Sequence, residues 1–415
     1  MRKPAHFPWF TIGMLFAATA LSFLDRQVLS TLAPRIITEF GITNTTYSRV
    51  IFAFQLSYTV MSALGGLMID RLGVKRGLGI SLAIWSVASA AHAFARNVVW
   101  LGVARFFLGL GEGACFPAAT RGAVEYAPGE RRSFATGIAI GGSALGAVIA
   151  PPLTVLLAAR YGWRGTFLFT GVVGMIWLIF WIAGVKKQPI QVVTVSREQR
   201  SYRELFANRS LLWILAARFV FDPVFYFYMF WIPQFLSKER GLSLESIGNL
   251  FWIPFLTLGI SQIFSGSVTD RMVMGGRTSI SAKSLMLLLA ASATPISWAA
   301  GLAPDKHWAI ACMSVLLFAH GVWITNYLSL VADLFPAQQN ATIVGLTGMV
   351  GGIAGMISTL IIGPVADRFS FVPVFAVSGV AYPIAYLLMR RAIRAGSVFS
   401  RASQARQAMK LSSNS

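Results

Sequence analysis

The sequence predicts an all-α membrane protein, with twelve transmembrane helices arranged as two six-helix, pseudo-symmetric bundles. Composition is the first reason: 56% of the 415 residues are hydrophobic and only 12% are charged, where soluble domains carry about 25%. The second is a recurrence of apolar stretches near the ~20 residues that a helix needs to cross ~30 Å of hydrocarbon. They cover residues 9–33, 47–69, 77–95, 98–124, 133–158, 165–185, 211–236, 247–269, 284–303, 307–332, 341–366 and 371–389. The third is an internal echo. Gly66-Leu-Met-Ile-Asp70-Arg71 after span 2 returns as Gly266-Ser-Val-Thr-Asp270-Arg271 after span 8, and Pro128 and Gly137 around the start of span 5 return as Pro336 and Gly345 around that of span 11. Paired bundles of this kind place a site near mid-membrane between them.

The expected organisation is a first bundle at 1–185, a polar linker at 186–210, a second bundle at 211–393 and a basic tail at 394–415. Span 1 follows Arg2 and Lys3 as a secretory leader would. It runs through Asp25 without a small-residue cleavage site, and eleven spans follow, so it is expected to stay uncleaved. Sorting the 35 Lys and Arg over alternating helices puts 23 on the side of the N-terminus, 9 on the other and 3 within spans. Basic residues concentrate on the cytoplasmic side of membrane proteins. Both termini are therefore expected in the cytoplasm, with the chain in the inner (plasma) membrane. The same asymmetry accounts for the net charge of +20 without nucleic acid, since no basic stretch is interleaved with aromatic residues. Cys115 and Cys312 lie in different halves, so no structural disulfide is expected.

Six charged side chains stand well within the spans: Asp25 and Arg26 in span 1, Arg105 and Glu112 in span 4, Arg218 and Asp222 in span 7. Each costs about 2.5 to 3.5 kcal/mol at a helix centre on insertion scales, which makes a functional role the default reading. Asp25 and Arg26 are neighbours and project about 100° apart, so one is expected to face a cavity while the other meets a different helix. Arg105 and Glu112 share one helix face two turns apart, with Gly109, Gly111 and Gly113 opening room for a ligand or a neighbouring helix. Arg218 and Asp222 have the i,i+4 spacing of a direct pair, which favours a structural role. After span 2, Gly66, Asp70, Arg71, Gly73, Lys75 and Arg76 form a candidate gate, in which Asp70 could cap a neighbouring helix N-terminus. Span 5 (Gly137, Gly141, Gly142, Gly146) and span 11 (Gly345, Gly348, Gly351, Gly352, Gly355) concentrate the glycines that permit close helix crossings. Pro151 and Pro152 should bend or end span 5. Among the histidines, only mid-span His320 merits a test as a proton-linked group.

GLMIDRLGVKR, of the form G-x-x-x-D-R-x-G-x-K-R, resembles the loop signature of the major facilitator superfamily. FLDRQVLSTLAP in span 1, RFFLGLGEGACFPAA in span 4, FDPVFYFYMFWIP in span 7 and AHGVWITNYLSLVADLFP in span 10 are similar to its anion:cation symporters, particularly the hexuronate transporters. The resemblance implies proton-coupled import of a small organic anion, a sugar acid such as a hexuronate or aldonate or another carboxylate, by a monomer in the lipid bilayer. It makes Asp25 and Glu112 the proton carriers. Arg26 and Tyr58 would meet the anion, with Arg105 the partner that Glu112 holds and releases, and Tyr226, Tyr228, Trp323 and Asn326 would complete the site.

Departures bear on the substrate. Ser22-Phe23 replaces an Asn-Tyr, Cys115-Phe116-Pro117 an Asn-Trp-Pro, and Ile140-Gly141 an Asn-Ser. Fewer amides and hydroxyls leave fewer partners for a polyhydroxylated sugar, so organic anion is the firmer expectation and hexuronate the narrower one. The alternative is a proton-coupled exporter of drugs or other organic compounds. It would carry Gly-Pro followed by Gly-Gly in span 5, where this chain has GAVIAPPL. No metal motif or nucleophile elbow is present, so neither an enzyme nor a cofactor or metal is expected.

Overall fold

A computed structural model describes residues 7–128, 131–186, 208–335 and 337–412. Among these residues the chain is helical, without strands. The helices are α1 (Trp9–Phe40), α2 (Asn44–Leu72), α3 (Val74–His92) and α4 (Val98–Glu112, resuming as Cys115–Tyr126). The run Arg132–Gly184 holds α5 and α6, residues 132–161 and 163–184, which separate where Gly162 adopts φ +70°. The second half comprises α7 (Arg209–Phe230, then Ile232–Arg240), α8 (Leu244–Leu250, then Trp252–Met274), α9 (Ser279–Ala293, then Ile296–Gly301), α10 (Lys306–Leu334), α11 (Ala337–Arg368) and α12 (Val372–Ser412). Among the described residues, ten continuous runs have the length and apolarity to cross a membrane. One of them, Phe134–Gly184 with 51 residues, contains both α5 and α6, and α3 completes the twelve. The predicted linker lies outside the described residues except for its ends, as does Pro336 of the internal echo.

Of the two outcomes expected at Pro151 and Pro152, a bend or an end, span 5 does not show the end. The helix passes through Pro151 and Pro152 and breaks only at Gly162. A proline removes the hydrogen bond to the carbonyl four residues back, and the carbonyl freed by Pro151, that of Ala147, accepts instead from Gln27 Nε2 of α1 at 3.3 Å. Outside help satisfies the orphaned acceptor, so the helix continues.

Glycines set the helix spacing. A methyl group at Gly142 or Gly146 of α5 would collide with the carbonyls of Phe16 or Ala20 on α1, and Thr19 Oγ1 donates across this crossing to the Ala139 carbonyl at 2.7 Å. Gly109 and Gly113 of α4 press on α2 at Phe54 and Tyr58, and Gly111 presses on α3 at Trp85. These three glycines admit neighbouring helices, not a ligand. Cys115 and Cys312 are both free and buried.

The two halves meet along α2–α11 and α5–α8, and both seams close at one end only. On one face of α11, Gly363 abuts Asn44 and Ser48, and Gly352 abuts Thr59, while nothing lies near Gly348 or Gly345. On α5, Val155 meets Gly248 and Ala144 meets Gly259, while Gly141 and Gly137 face open space. Hydrogen bonds join the halves at the closed end. Ser30 Oγ donates to the Met229 carbonyl at 2.8 Å and Gln234 Nε2 to Asn44 Oδ1 at 3.1 Å. The cleft therefore opens toward the end where α1 begins and α12 finishes.

Candidate functional site

Four of the six intramembrane charges converge in the first half. Arg26 Nε donates to Glu112 Oε2 at 2.7 Å. Ser22 Oγ donates to the same oxygen at 3.0 Å, and Arg26 Nη2 donates to Ser22 Oγ at 3.2 Å. The guanidinium also lies 4.2 Å from the Tyr58 ring centroid and 4.7 Å from that of Phe23. Glu112 is completely buried, and its other oxygen, Oε1, has no hydrogen-bond partner among the described residues. Helical geometry explains the convergence: Ser22 and Arg26 are one turn apart on the face of α1 that meets α4, so both reach one carboxylate.

Asp25 projects the other way. Its Oδ1 accepts from Ser89 Oγ of α3 at 3.1 Å, and Ser89 in turn lies 2.8 Å from Thr170 Oγ1 of α6. Arg105, expected to be held and released in turn by Glu112, is not held in this conformation. It is instead committed to the backbone of α1, donating from Nη1 to the Asp25 carbonyl at 3.3 Å and from Nη2 to the Arg26 carbonyl at 2.9 Å. The partner of Glu112 in this conformation is Arg26, because spacing within one helix cannot reveal which cation a neighbouring helix delivers.

In the second half Arg218 Nε meets Asp222 Oδ2 at 2.6 Å, the predicted i,i+4 pair. Tyr226, one turn further on, is half-buried over Gly355. It lies within electrostatic reach of Asp222 and Arg218 on its own side and of Tyr58 and Arg26 across the seam. Three expected site residues are not brought to this cluster. Tyr228 is buried against Phe375, with its hydroxyl 3.2 Å from Ser297 Oγ. Trp323 is enclosed by Phe221 and Tyr382. Asn326 exchanges hydrogen bonds with Thr269 at 2.8 Å and Ser265 at 2.6 Å on α8. They pack the second bundle. His320 likewise lies in that bundle, 2.5 Å from the Tyr382 hydroxyl and stacked on Phe225. Among the described residues no group of three His, Cys, Asp or Glu could hold a metal ion.

At the open end, Asp70 forms an ion pair with Arg121 of α4. It does not cap a helix N-terminus, as its sequence position suggested. Gly73 takes φ +76° at the turn into α3, Lys75 Nζ donates to the Ile182 carbonyl at 2.8 Å, and Arg71 and Arg76 are exposed. Gly66 has open space beside it. The capping occurs at the opposite end of the molecule, at Asp367. Asp367 of α11 accepts from the backbone N–H and the side chain of both Asn44 and Thr45, the first two residues of α2, at 2.7 to 3.0 Å. A sequence signal existed, since Gly363-Pro-Val-Ala-Asp367-Arg368 is a third copy of the Gly-x-x-x-Asp-Arg pattern.

The chain matches the family model described as Major Facilitator Superfamily over residues 15–359. It is 30% identical over 400 residues to a hexuronate transporter of Escherichia coli (strain K12), covering 92% of each chain. It is also 30% identical to a galacturonate transporter of Dickeya chrysanthemi, over 62% of this chain and 80% of that one. In structure it is similar to a bacterial homolog of the human lysosomal transporter Spinster in an inward-facing and occupied conformation. The TM-score is 0.76 at 17% identity, over 96% of this chain and 98% of the other, a likeness of fold alone. The fold, the paired bundles and these matches converge: the chain is a multi-pass membrane transporter and belongs to the Major Facilitator Superfamily.

Proposed function

We propose that this transporter imports a small organic anion together with protons, and that the anion is a sugar acid, as the names of its hexuronate and galacturonate relatives suggest. The observation that carries the reading is the buried Arg26–Glu112 pair beside Tyr58. While Glu112 is ionised it occupies Arg26. Protonation releases the guanidinium to a substrate carboxylate, so proton and anion load together. Coupling needs such a difference in affinity between protonation states. Asp25 is the second proton carrier, and Arg105 fixes the backbone of α1 so that Asp25 and Arg26 keep their opposite directions.

Both termini lie in the cytoplasm and the chain sits in the inner membrane, as a monomer. Residues 1–185 and 211–393 form the two rocking units, joined by the 186–210 linker and followed by the 394–415 tail. The cleft in this structure then faces inward, with Asp70, Arg71, Gly73, Lys75, Arg76 and Gly66 on its rim as the cytoplasmic gate. Each net charge carried inward can draw about 2.3 kcal/mol per 100 mV of membrane potential.

The test is uptake of labelled sugar acids into proteoliposomes with and without a pH gradient. Glu112→Gln is expected to abolish gradient-driven accumulation while exchange of external for internal substrate persists. A variant that still concentrates substrate as the parent does would overturn the assignment.

A further inference from the structure

The Arg218–Asp222 pair has the spacing of a structural bridge, yet its geometry differs from one. Only Nε of Arg218 is committed to Asp222. Among the described residues no protein acceptor meets its two terminal nitrogens. They are not enclosed either, for the side chain keeps 16% of its surface exposed and none of its atoms is among the buried polar atoms without partners. Arg105, by contrast, is 1% exposed and places both terminal nitrogens on carbonyls. A guanidinium presents its donors in a rigid fork that can grip a carboxylate with two parallel bonds. Here the fork is held at the back by Asp222, flanked by the rings of Phe221 and Tyr327 at 5.2 and 5.6 Å, and left open at the front.

Its position is at the junction of the halves. Gly351 of α11 is pressed against Asp222 and Arg218, and the next residue, Gly352, is pressed against Thr59 of α2. Thr59 follows Tyr58, whose ring lies 4.2 Å from the Arg26 guanidinium. Tyr226 is in electrostatic reach of Arg218, Asp222 and Arg26. Two arginines, one from each half and each paired with a carboxylate, thus stand on the two sides of the α2–α11 seam.

We propose that Arg218 is a second anion-binding residue, with Asp222 its positioning residue, and that the preferred solute carries an acidic group at both ends: an aldarate-type dicarboxylate, one end on Arg26 and the other on Arg218. The inference rests on the cleft acting as proposed above and narrows its substrate class. A solute with one acidic group leaves Arg218 unmet, and a site built to bind a charged group discriminates strongly against an analogue lacking it.

The experiment compares D-galactonate with galactarate, linear six-carbon acids that differ in the oxidation of one terminal carbon, in proteoliposome uptake and mutual competition. The parent protein should favour galactarate. Because Arg218→Gln alone would strand a buried carboxylate, the second variant is Arg218→Gln combined with Asp222→Asn, which removes both charges at nearly constant volume. In both variants KM for galactarate should rise about tenfold, the loss expected for one charge-assisted contact, while KM for galactonate stays within about twofold. Parent preference for galactonate, an equal effect on both acids, loss of all uptake by both variants, or no effect on either would overturn the proposal. Failure of the parent to move any carboxylate would instead overturn the functional reading beneath it.

Discussion

The two halves of the molecule bury charge differently. The first half encloses four charged side chains, Asp25, Arg26, Arg105 and Glu112, of which only Arg26 and Glu112 touch as an ion pair. Among the described residues of the second, Asp222 and Lys283 are buried, Asp222 on the half-buried Arg218 one turn away and Lys283 on Asp333. Where the first half has a carboxylate answered only by a hydroxyl relay, the second has neutral groups: Asn326 bonded to Thr269 and Ser265, and His320 against Tyr382. Buried charge without a full complement of partners is costly. On the proposed function, its retention in the first half serves proton exchange, while the half-buried Arg218 and its Asp222 in the second serve to hold the solute.

The sharpest way to break this comparison is at Asp25. Its carboxylate accepts from the hydroxyl of Ser89, beside that of Thr170, and an asparagine keeps an acceptor in that place. Asp25→Asn should therefore fold normally, yet gradient-driven accumulation should fall at least about tenfold, the scale on which loss of a positioned proton-transfer group is felt. Counterflow of substrate should be retained. If accumulation is unchanged, the first half does not owe its extra charges to protons, and the contrast between the halves is one of packing alone.

Much of this was legible in the sequence. Twelve spans, the paired bundles and the six buried charges follow from quantities that lipid enforces strictly, namely span length and the cost of charge. What could not be read was the direction of each side chain. A helix hydrophobic on every side has no polar face to betray whether a residue points to the cleft, the bundle core or the lipid. Tyr228, Trp323 and Asn326 were therefore expected at the site, while the structure sets them among Phe375, Tyr382 and Thr269. Arg105 illustrates the same limit for charges: its position in the membrane was evident, but not its bonds to two α1 carbonyls. Whether Pro151 and Pro152 bend or end span 5 turned on a partner from another helix, Gln27, which meets the freed Ala147 carbonyl.

The ends of the molecule extend the contrast from chemistry to motion. At the open end Asp70 stays within its own half, on Arg121. At the closed end Asp367 crosses to the other half and caps α2, where a carboxylate gains both from orphan N–H groups and from the helix dipole. Asp367→Ala removes this bond set from the present conformation alone. A loss of about 1.4 kcal/mol shifts a two-state population tenfold. A cysteine placed at Gly137, whose surroundings are open in this conformation, would report the change, and both native cysteines are buried. Modification of Gly137→Cys by a thiol reagent should slow in the Asp367→Ala background. An unchanged rate would mean that the cap does not bias the cleft.

The smallest effect is expected in the second half, at the short contact between His320 and the Tyr382 hydroxyl. Both residues are buried, and Tyr382 also packs on Phe221 and Trp323. If this contact belongs to the packing of the bundle, the hydroxyl contributes stability and nothing to coupling. Tyr382→Phe keeps the ring and deletes one buried hydrogen bond, which should cost about 1 kcal/mol of stability and lower the midpoint of thermal unfolding in detergent. The steepness with which uptake depends on the pH gradient should stay that of the parent. A change in that dependence would place His320 among the proton-handling groups and erase the asymmetry between the halves.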